Sequence, residues 1–333
     1  MPKDIQFKTI LDLAKVFPTE KACHEYLAYQ RWEGLMVCPY EGCGNEKAYV
    51  FKDGIRYKCT CCKRIYTART GSFMEGSKLP TIKWIMAIYL VLHKKGISSV
   101  QLSKDIGCTQ KSAWFVLNRI RTGLGNEKDQ VLEGDIATDE TFVGGRNKNR
   151  HADKKVKQGH GRSFKDKTPV IGMLQQEEYE FISRPHKVMS GKRVIEKVIS
   201  KPSRVICKVI KDTSSKTIHP VLKKHVKYGS TLITDEWGAY IGLNWFYGRE
   251  IVDHAKGQYV NESGYTTNAV EGFWTQCKLS IHATYVKPTR KHLQKYFDEF
   301  AFRYNYRNLG AQEQINKVIS NMKCRLKYKD LVA

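Results

Sequence analysis

Acidic side chains are scarce in this chain, and so are long apolar runs. Against 57 lysines and arginines stand 33 aspartates and glutamates, for a formal net charge of +24. Such a surplus favours a polyanionic partner, and nucleic acid is the commonest soluble one. The nearly apolar stretch TIKWIMAIYLVLHKK, Thr81 to Lys95, has 15 residues, short of the roughly 20 that a spanning helix needs, so no membrane partner is expected and this run reads as a buried helix. No amphipathic basic anchor supports a membrane-surface role. The opening MPKDIQFKTI lacks the apolar core of a signal peptide, so the expected location is cytoplasmic. In that reducing compartment the ten cysteines read as metal ligands and buried thiols rather than disulfides. A length of 333 residues is enough for two or three domains, each with a core.

What is present begins with two short helical patterns, LDLAKVF and EKACHEYLAYQRW, separated at Pro18, with Cys23 on the apolar side of the second. Then come CPYEGC, a strand-like AYVFKDGIRYKC turning at Asp53-Gly54, and CTCC. Two cysteine pairs on turns joined by a hairpin are the spacing of a Cys₄ zinc ribbon, because tetrahedral zinc takes four ligands from two loops. Cys38 and Cys43 form the first pair. Cys59 pairs with Cys62 or Cys61, and Cys62 is preferred because C-x₂-C makes the better knuckle. Structural Zn²⁺ is therefore expected on Cys38, Cys43, Cys59 and Cys62.

After Gly96, SSVQLSKDI, the turn Gly107-Cys108-Thr109 and QKSAWFVLNRIRTGL have helix-turn-helix form. Gln110, Lys111 and Ser112 open the second helix as candidate DNA contacts, with Trp114, Leu117 and Ile120 on its apolar face; an ordinary helical hairpin has the same outline. GLGNEKDQ, residues 123–130, is a polar linker. Beyond the strand-like VLEGDIATDETFVGG, the segment RNKNRHADKKVKQGHGRSFKDK holds nine Lys/Arg against two Asp. Lys154, Lys155 and Lys157 are its candidate phosphate contacts, weighed against a merely solvated loop; His151 and His160 are isolated. TPVIGMLQQ, SRVICKVIK, STLITD and REIVDHA read as strands and TSSKTIHPVLKKHV as a helix, whereas residues 176–202 carry no clear pattern. Helices follow from 268 and from about 289. This succession predicts an α/β layer. In the last helix Glu299, Arg303 and Arg307 recur every four residues, as an ion-pair stripe or a DNA-contacting one.

The candidate catalytic residues are acids. Asp139 in IATDETFVGG and Asp235 in TLITDEWGAY each end a strand-like run, and in TTNAVEGFWTQCK a helix would set Asn268, Glu271 and Lys278 along one face. Two strand-end aspartates and a helix-borne glutamate suit a two-metal phosphoryl-transfer site, in which Mg²⁺ or Mn²⁺ stabilises the attacking and leaving oxygens. Lys278 would meet a DNA phosphate. Taken singly, each residue has a plainer role: Asn268 and Glu271 match a capping box, and Asp235 could begin a turn.

Together, CPYEGCG…YKCTCCKRIYTARTGSFMEGSKLPTIKWIMAIYLV, KKGISSVQLSKDIGCTQKSAWFVLNRIR, ATDETFVGG, TDEWGAY, TNAVEGFW and KHLQKYFDEFAFRYNYR resemble bacterial insertion-sequence DDE transposases of the subgroup with an N-terminal zinc ribbon. The resemblance implies a ribonuclease-H-like catalytic domain at 131–333. Ahead of it would lie an N-terminal helical segment (1–34), a zinc ribbon (35–76), a helix-turn-helix (77–122) and the linker (123–130). It implies Asp139, Asp235 and Glu271 as the carboxylates, with Asn268 a rival third residue and Lys278 the lysine of an E-x₆-K pattern. It also implies an enzyme acting on double-stranded DNA, the element's terminal repeats and a target, as a homodimer or larger synapse. The competing expectation is a non-catalytic DNA-binding regulator or inactive domesticated transposase. A ribonuclease or junction nuclease on the same scaffold is a third, but it gives no reason for two DNA-reading modules. The acids favour the enzyme, since a regulator needs none of them.

Overall fold

The computed structural model describes residues 6–93, 95–126, 131–144, 151, 153, 155, 167–185, 193–253, 258–286 and 288–332. They divide into two compact units: Met1–Lys128 with Ala283–Val286 and Tyr306–Ala333, and Asp129–His282 with Lys287–Asn305.

The first unit opens with α1 (Ile10–Val16), started by a capping box in which the Thr9 hydroxyl accepts from the Asp12 N–H and the Asp12 carboxylate accepts from the Thr9 N–H. Pro18 keeps it apart from α2 (Glu20–Trp32), whose Cys23, Tyr26 and Leu27 are buried. The cysteine-bearing hairpin gains a third strand, so that β1 (Ala48–Val50), β2 (Arg56–Cys59) and β3 (Ile65–Thr67) form an antiparallel sheet in that order. The first turn follows from Gly54 at φ 67° and from Asp53, whose Oδ1 accepts the N–H groups of Ile55 and Arg56. The apolar run is α3 (Thr81–His93), with Trp84, Ile85, Ile88 and Val91 buried. Next are α4 (Ser99–Ile106) and α5 (Gln110–Leu124). Gly107, at φ 60°, ends the former, and the Thr109 hydroxyl, accepting from the Ser112 N–H at 3.2 Å, starts the latter. Leu117 and Ile120 are buried on α5, while Trp114 is half-buried.

The second unit is a mixed α/β layer. Strands β4 (Asp135–Gly144) and β5 (Lys167–Gln175) pair antiparallel, and an isolated ribbon follows from β6 (Glu178–Pro185) and β7 (Arg193–Lys201). Then come β8 (Arg204–Val209), α6 (Ser215–His225), β9 (Thr231–Thr234), β10 (Gly248–Ile251), α7 (Asn268–Ser280) and α8 (Leu293–Asn305). The main sheet runs β10-β9-β4-β5-β8, with β9 parallel to β4 and β10 parallel to β9. Side chains alternate across a strand. Ile136, Ile171, Met173, Ile206 and Leu232 therefore face one core with Ile218 and Leu222 of α6. The intervening residues face the other side, where α7 lies on β4 and β5, and α8 on β8. Of the stripe of alternating charge, Glu299 is fully buried in α8 and paired with Arg303 at 3.6 Å, while Arg307 lies past the helix end and is exposed.

Residues 176–202, patternless in the sequence, are mostly the β6–β7 ribbon, exposed on both faces, with Phe181 and Ile195 each 71% exposed. A strand with no buried face has no period-2 alternation to display. The chain closes with α9 (Ala311–Ser320) and α10 (Tyr328–Val332). Helix α9 packs on α2 and α3; the Phe7 N–H reaches Gln312 Oε1, Tyr26 bonds Asn316, and the Phe73 N–H donates to the Met322 carbonyl. These last residues thus sit with the first unit, although the sequence reading continued the catalytic segment to 333. An amphipathic helix displays which face is buried but not what covers it.

Candidate functional site

Strand register assembles the acids. The parallel pairs Asp135↔Thr231, Ile136↔Leu232 and Ala137↔Ile233 bring β4 beside β9, and the charge of Asp235, just past the end of β9, acts on Asp139. Asp139 shares the parity of Ala137 and lies on the α7 face of the sheet, where it meets Trp274. Its sequence neighbour Glu140 has the opposite parity and receives a hydrogen bond from the hydroxyl of Tyr240, buried in the α6-side core. Asp235 Oδ1 accepts the N–H of Trp237 at 3.0 Å, turning the chain out of β9.

Helix α7 supplies the third acid. Val270, Phe273, Trp274 and Cys277 are buried at helical spacing, which leaves Asn268, Glu271 and Lys278 on the exposed side. Buried Thr267 donates its hydroxyl to Glu271 Oε1 at 2.8 Å, and the Asn268 N–H donates to Thr266 Oγ1 at 3.1 Å. Trp274 Nε1 donates to Asp139 Oδ2 at 3.0 Å, and the Glu140 N–H donates to Asp139 Oδ1 at 2.8 Å. Burial pushes the Asp139 carboxyl up from 3.8 to about 6; the negative charges of Asp235 and Glu271 add to the rise, against the two N–H donors. Mutual repulsion of this kind marks a place suited to a cation. The oxygens are not bunched, however: among the described residues, only four cysteines bring three or more potential ligand atoms within 4.8 Å of one another.

Those four are Cys38, Cys43, Cys59 and Cys62. The Cys38–Cys62 and Cys43–Cys59 sulfurs are each 3.6 Å apart, close to the edge of about 3.8 Å of a tetrahedron with 2.3 Å zinc–sulfur bonds. The turns permit this through Gly42 at φ 76°, Gly44 at φ 55° and Lys63 at φ 59°. Burial raises the Cys38 thiol to about 12. At Cys59 the same penalty is outweighed by the N–H groups of Cys62 and Cys61 and by neighbouring thiols, so its thiol falls to about 6. The cluster can hold zinc, and Cys61, exposed, stands outside it.

Of the other candidates, Gln110 and Lys111 are exposed on the first turn of α5 and Ser112 is half-buried. Gln110 Nε2 bonds Ser99 Oγ at 2.8 Å, Thr109 Oγ1 bonds Ser112 Oγ at 2.9 Å, and Lys111 lies 5.2 Å from the Tyr328 ring. Lys155 and His151 are exposed; Lys154, Lys157 and His160 fall outside the described residues. Lys278 lines a pocket with Phe142, Val143, Gly144, Lys167, Ile281 and His282. Sequence reasoning missed Lys167, His282, Gly172 and Trp274. The only signal for the last was its place in the apolar stripe beside Glu271.

Residues 131–305 match the family model described as the ISXO2-like transposase domain. The chain belongs to this transposase family. It is also 26% identical over 261 residues to an uncharacterized protein in transposable element ISH50 of Halobacterium salinarum, covering 74% of this chain and 78% of that protein. The ISXO2-like match spans β4 to α8 and so takes in Asp139, Asp235, Asn268, Glu271 and Lys278, while the cysteine cluster and α4–α5 precede it. No helix among the described residues of this transposase-family chain is long and apolar enough to cross a membrane.

Proposed function

We propose that the chain is a DNA transposase that binds the ends of a mobile element, cleaves them and joins the freed 3′-hydroxyls to target DNA. The carrying observation is that the charges of Asp235 and Glu271 both act on Asp139, which meets α7 through Trp274, within a chain of the transposase family. The second unit then serves as a ribonuclease-H-like catalytic layer, with Asp139, Asp235 and Glu271 holding Mg²⁺ or Mn²⁺ and Asn268 the rival third residue. Charge repulsion around Asp139 supports that donor set. The wider setting of the oxygens is compatible with two ions about 3.5–4 Å apart, which need not share one shell. Bound there, the ions would activate the attacking oxygen and stabilise the leaving one.

The chain's own residues do the rest. Asp139, fixed by two N–H donors, presents a rigid carboxylate; Lys278, with Lys167 and His282 beside it, offers positive charge to the DNA backbone. Cys38, Cys43, Cys59 and Cys62 would hold a structural zinc. Helices α4 and α5 act as a helix-turn-helix whose Gln110, Lys111 and Ser112 read base edges, while Lys154, Lys155 and Lys157 contact phosphates. Because two ends must be brought together, the working form is a homodimer or larger synapse, in the bacterial cytoplasm.

Incubation of the protein with the DNA flanking its own gene and Mn²⁺ or Mg²⁺ tests this reading. Nicked ends are expected at the element boundary. Specific binding of those ends without nicking, under either ion, would identify a non-catalytic regulator instead.

A further inference from the structure

Trp274 follows Glu271 by three residues on α7 and is buried, 3% exposed. A buried indole needs an acceptor for its N–H. Here the acceptor is not a carbonyl but Asp139 Oδ2, at 3.0 Å. With the Glu140 N–H on Oδ1 at 2.8 Å, each carboxylate oxygen has one donor and keeps lone-pair capacity for another partner. The ring is itself held: Phe273 lies 5.3 Å away by centroid and Phe297 meets it edge-on at 5.9 Å and 83°.

The strand beneath is shaped to admit it. Gly172 pairs with Asp139 across β4 and β5. A Cβ on Gly172 would stand 2.4 Å from Trp274 Cζ2 and 2.7 Å from Cη2, which no real packing allows. Nothing else near Gly172 comes closer than the same ring, so glycine is needed here for the room it leaves.

We propose that Trp274, seated in the notch left by Gly172, is a positioning residue that orients the Asp139 carboxylate for binding a divalent cation. This rests on the reading of Asp139 as a metal-binding residue. Partners that orient a metal ligand typically govern affinity by about ten- to a hundredfold.

Mn²⁺ binding to the full-length protein, followed through the electron paramagnetic resonance of the free ion, tests it with W274F, G172A, their double variant and D139N. W274F keeps an aromatic ring but removes the donor; its Mn²⁺ affinity should fall by roughly ten- to a hundredfold, with native zinc content. End cleavage should lose rate at saturating DNA while the KM for DNA stays unchanged. G172A displaces the ring without touching the acid and should reproduce the loss, so it decides the matter if W274F does not fold. Combined with W274F it should add little, because the smaller ring leaves room for the methyl group. In ¹⁵N-tryptophan spectra the indole resonance absent from W274F should move when Mg²⁺ is added. Native Mn²⁺ affinity in W274F or G172A, alongside its loss in D139N, overturns the role of Trp274 and leaves the metal site standing. Native affinity in D139N overturns the site itself.

Discussion

The cysteine cluster and the carboxylate trio are both sets of side chains of a kind that can ligate a metal, built in opposite ways. The cysteines lie within 25 residues of one another in sequence, on turns of one small sheet, and their sulfurs already stand within 4.8 Å. The acids come from β4, from the end of β9 and from α7, and their oxygens are set wider. Thiols can crowd because a protonated thiol is neutral, as burial favours at Cys38, and a bound metal would displace such protons. Ionised carboxylates cannot, and the rise of Asp139 to about 6 registers the burial and repulsion they bear. A structural metal centre can therefore be closed and local, whereas a catalytic one must stay open and rest on a larger scaffold.

The sharpest way to break the comparison is at the closed site. Zinc binding in such clusters is folding energy, about 10–16 kcal/mol in small zinc peptides at neutral pH. Cys59→Ser should therefore abolish zinc retention and the ordered structure around β1–β3, while the second unit keeps its thermal transition. Atomic absorption and calorimetry read both, and a wild-type protein purified without chelator that contains no zinc would overturn the assignment.

The open site should behave conversely. Asp139→Asn removes a charged ligand without disturbing a core, so end cleavage should drop by several orders of magnitude with DNA affinity nearly intact, as measured by nicking and by fluorescence anisotropy. Loss of folding rather than of cleavage would make Asp139 a structural acid.

A narrower comparison separates Glu271 from Asn268. Glu271→Gln should abolish strand transfer and Asn268→Asp should cost little. If Glu271→Gln retains near-normal activity and Asn268→Ala is inactive, the Thr267 hydrogen bond on Glu271 is merely a helix cap and Asn268 is the third ligand.

The smallest effect is in pH. Asp139, at about 6 in the folded chain against 3.8 when free, binds its proton more tightly when folded. Its ionisation opposes folding fully above about pH 6, and that cost disappears as pH falls through 3.8. Metal competes with the same proton, so Mn²⁺ affinity should be flat above about pH 6 and fall up to roughly tenfold per unit below it. Affinity unchanged down to pH 5 would show that Asp139 is not a ligand. Asp139→Asn should remove this step from the pH dependence of apo-protein stability.

The extent of legibility follows the same division. Cys38, Cys43, Cys59 and Cys62 were readable because a knuckle is a local object, and Cys62 was preferred over Cys61 on spacing alone. The choice agrees with the geometry, which leaves Cys61 exposed. Helices α3, α4 and α5 were readable from apolar period, Gly107 and Thr109. The β6–β7 ribbon was not, since RVIEKVIS repeats its apolar pairs at a nearly helical interval and buries neither face.

By itself the amino-acid sequence determined the basic charge, the four-cysteine set, the helical phase of Asn268, Glu271 and Lys278, and the motifs that mark the transposase family, all features of composition or short separation. Only the tertiary structure decided that Asp139 rather than Glu140 faces α7, that the charge of Asp235 acts on it, and that Trp274 reaches the acid over Gly172. Each depends on the register between strands far apart in the chain. A slip of one residue would turn Asp139 to the other face, away from Trp274.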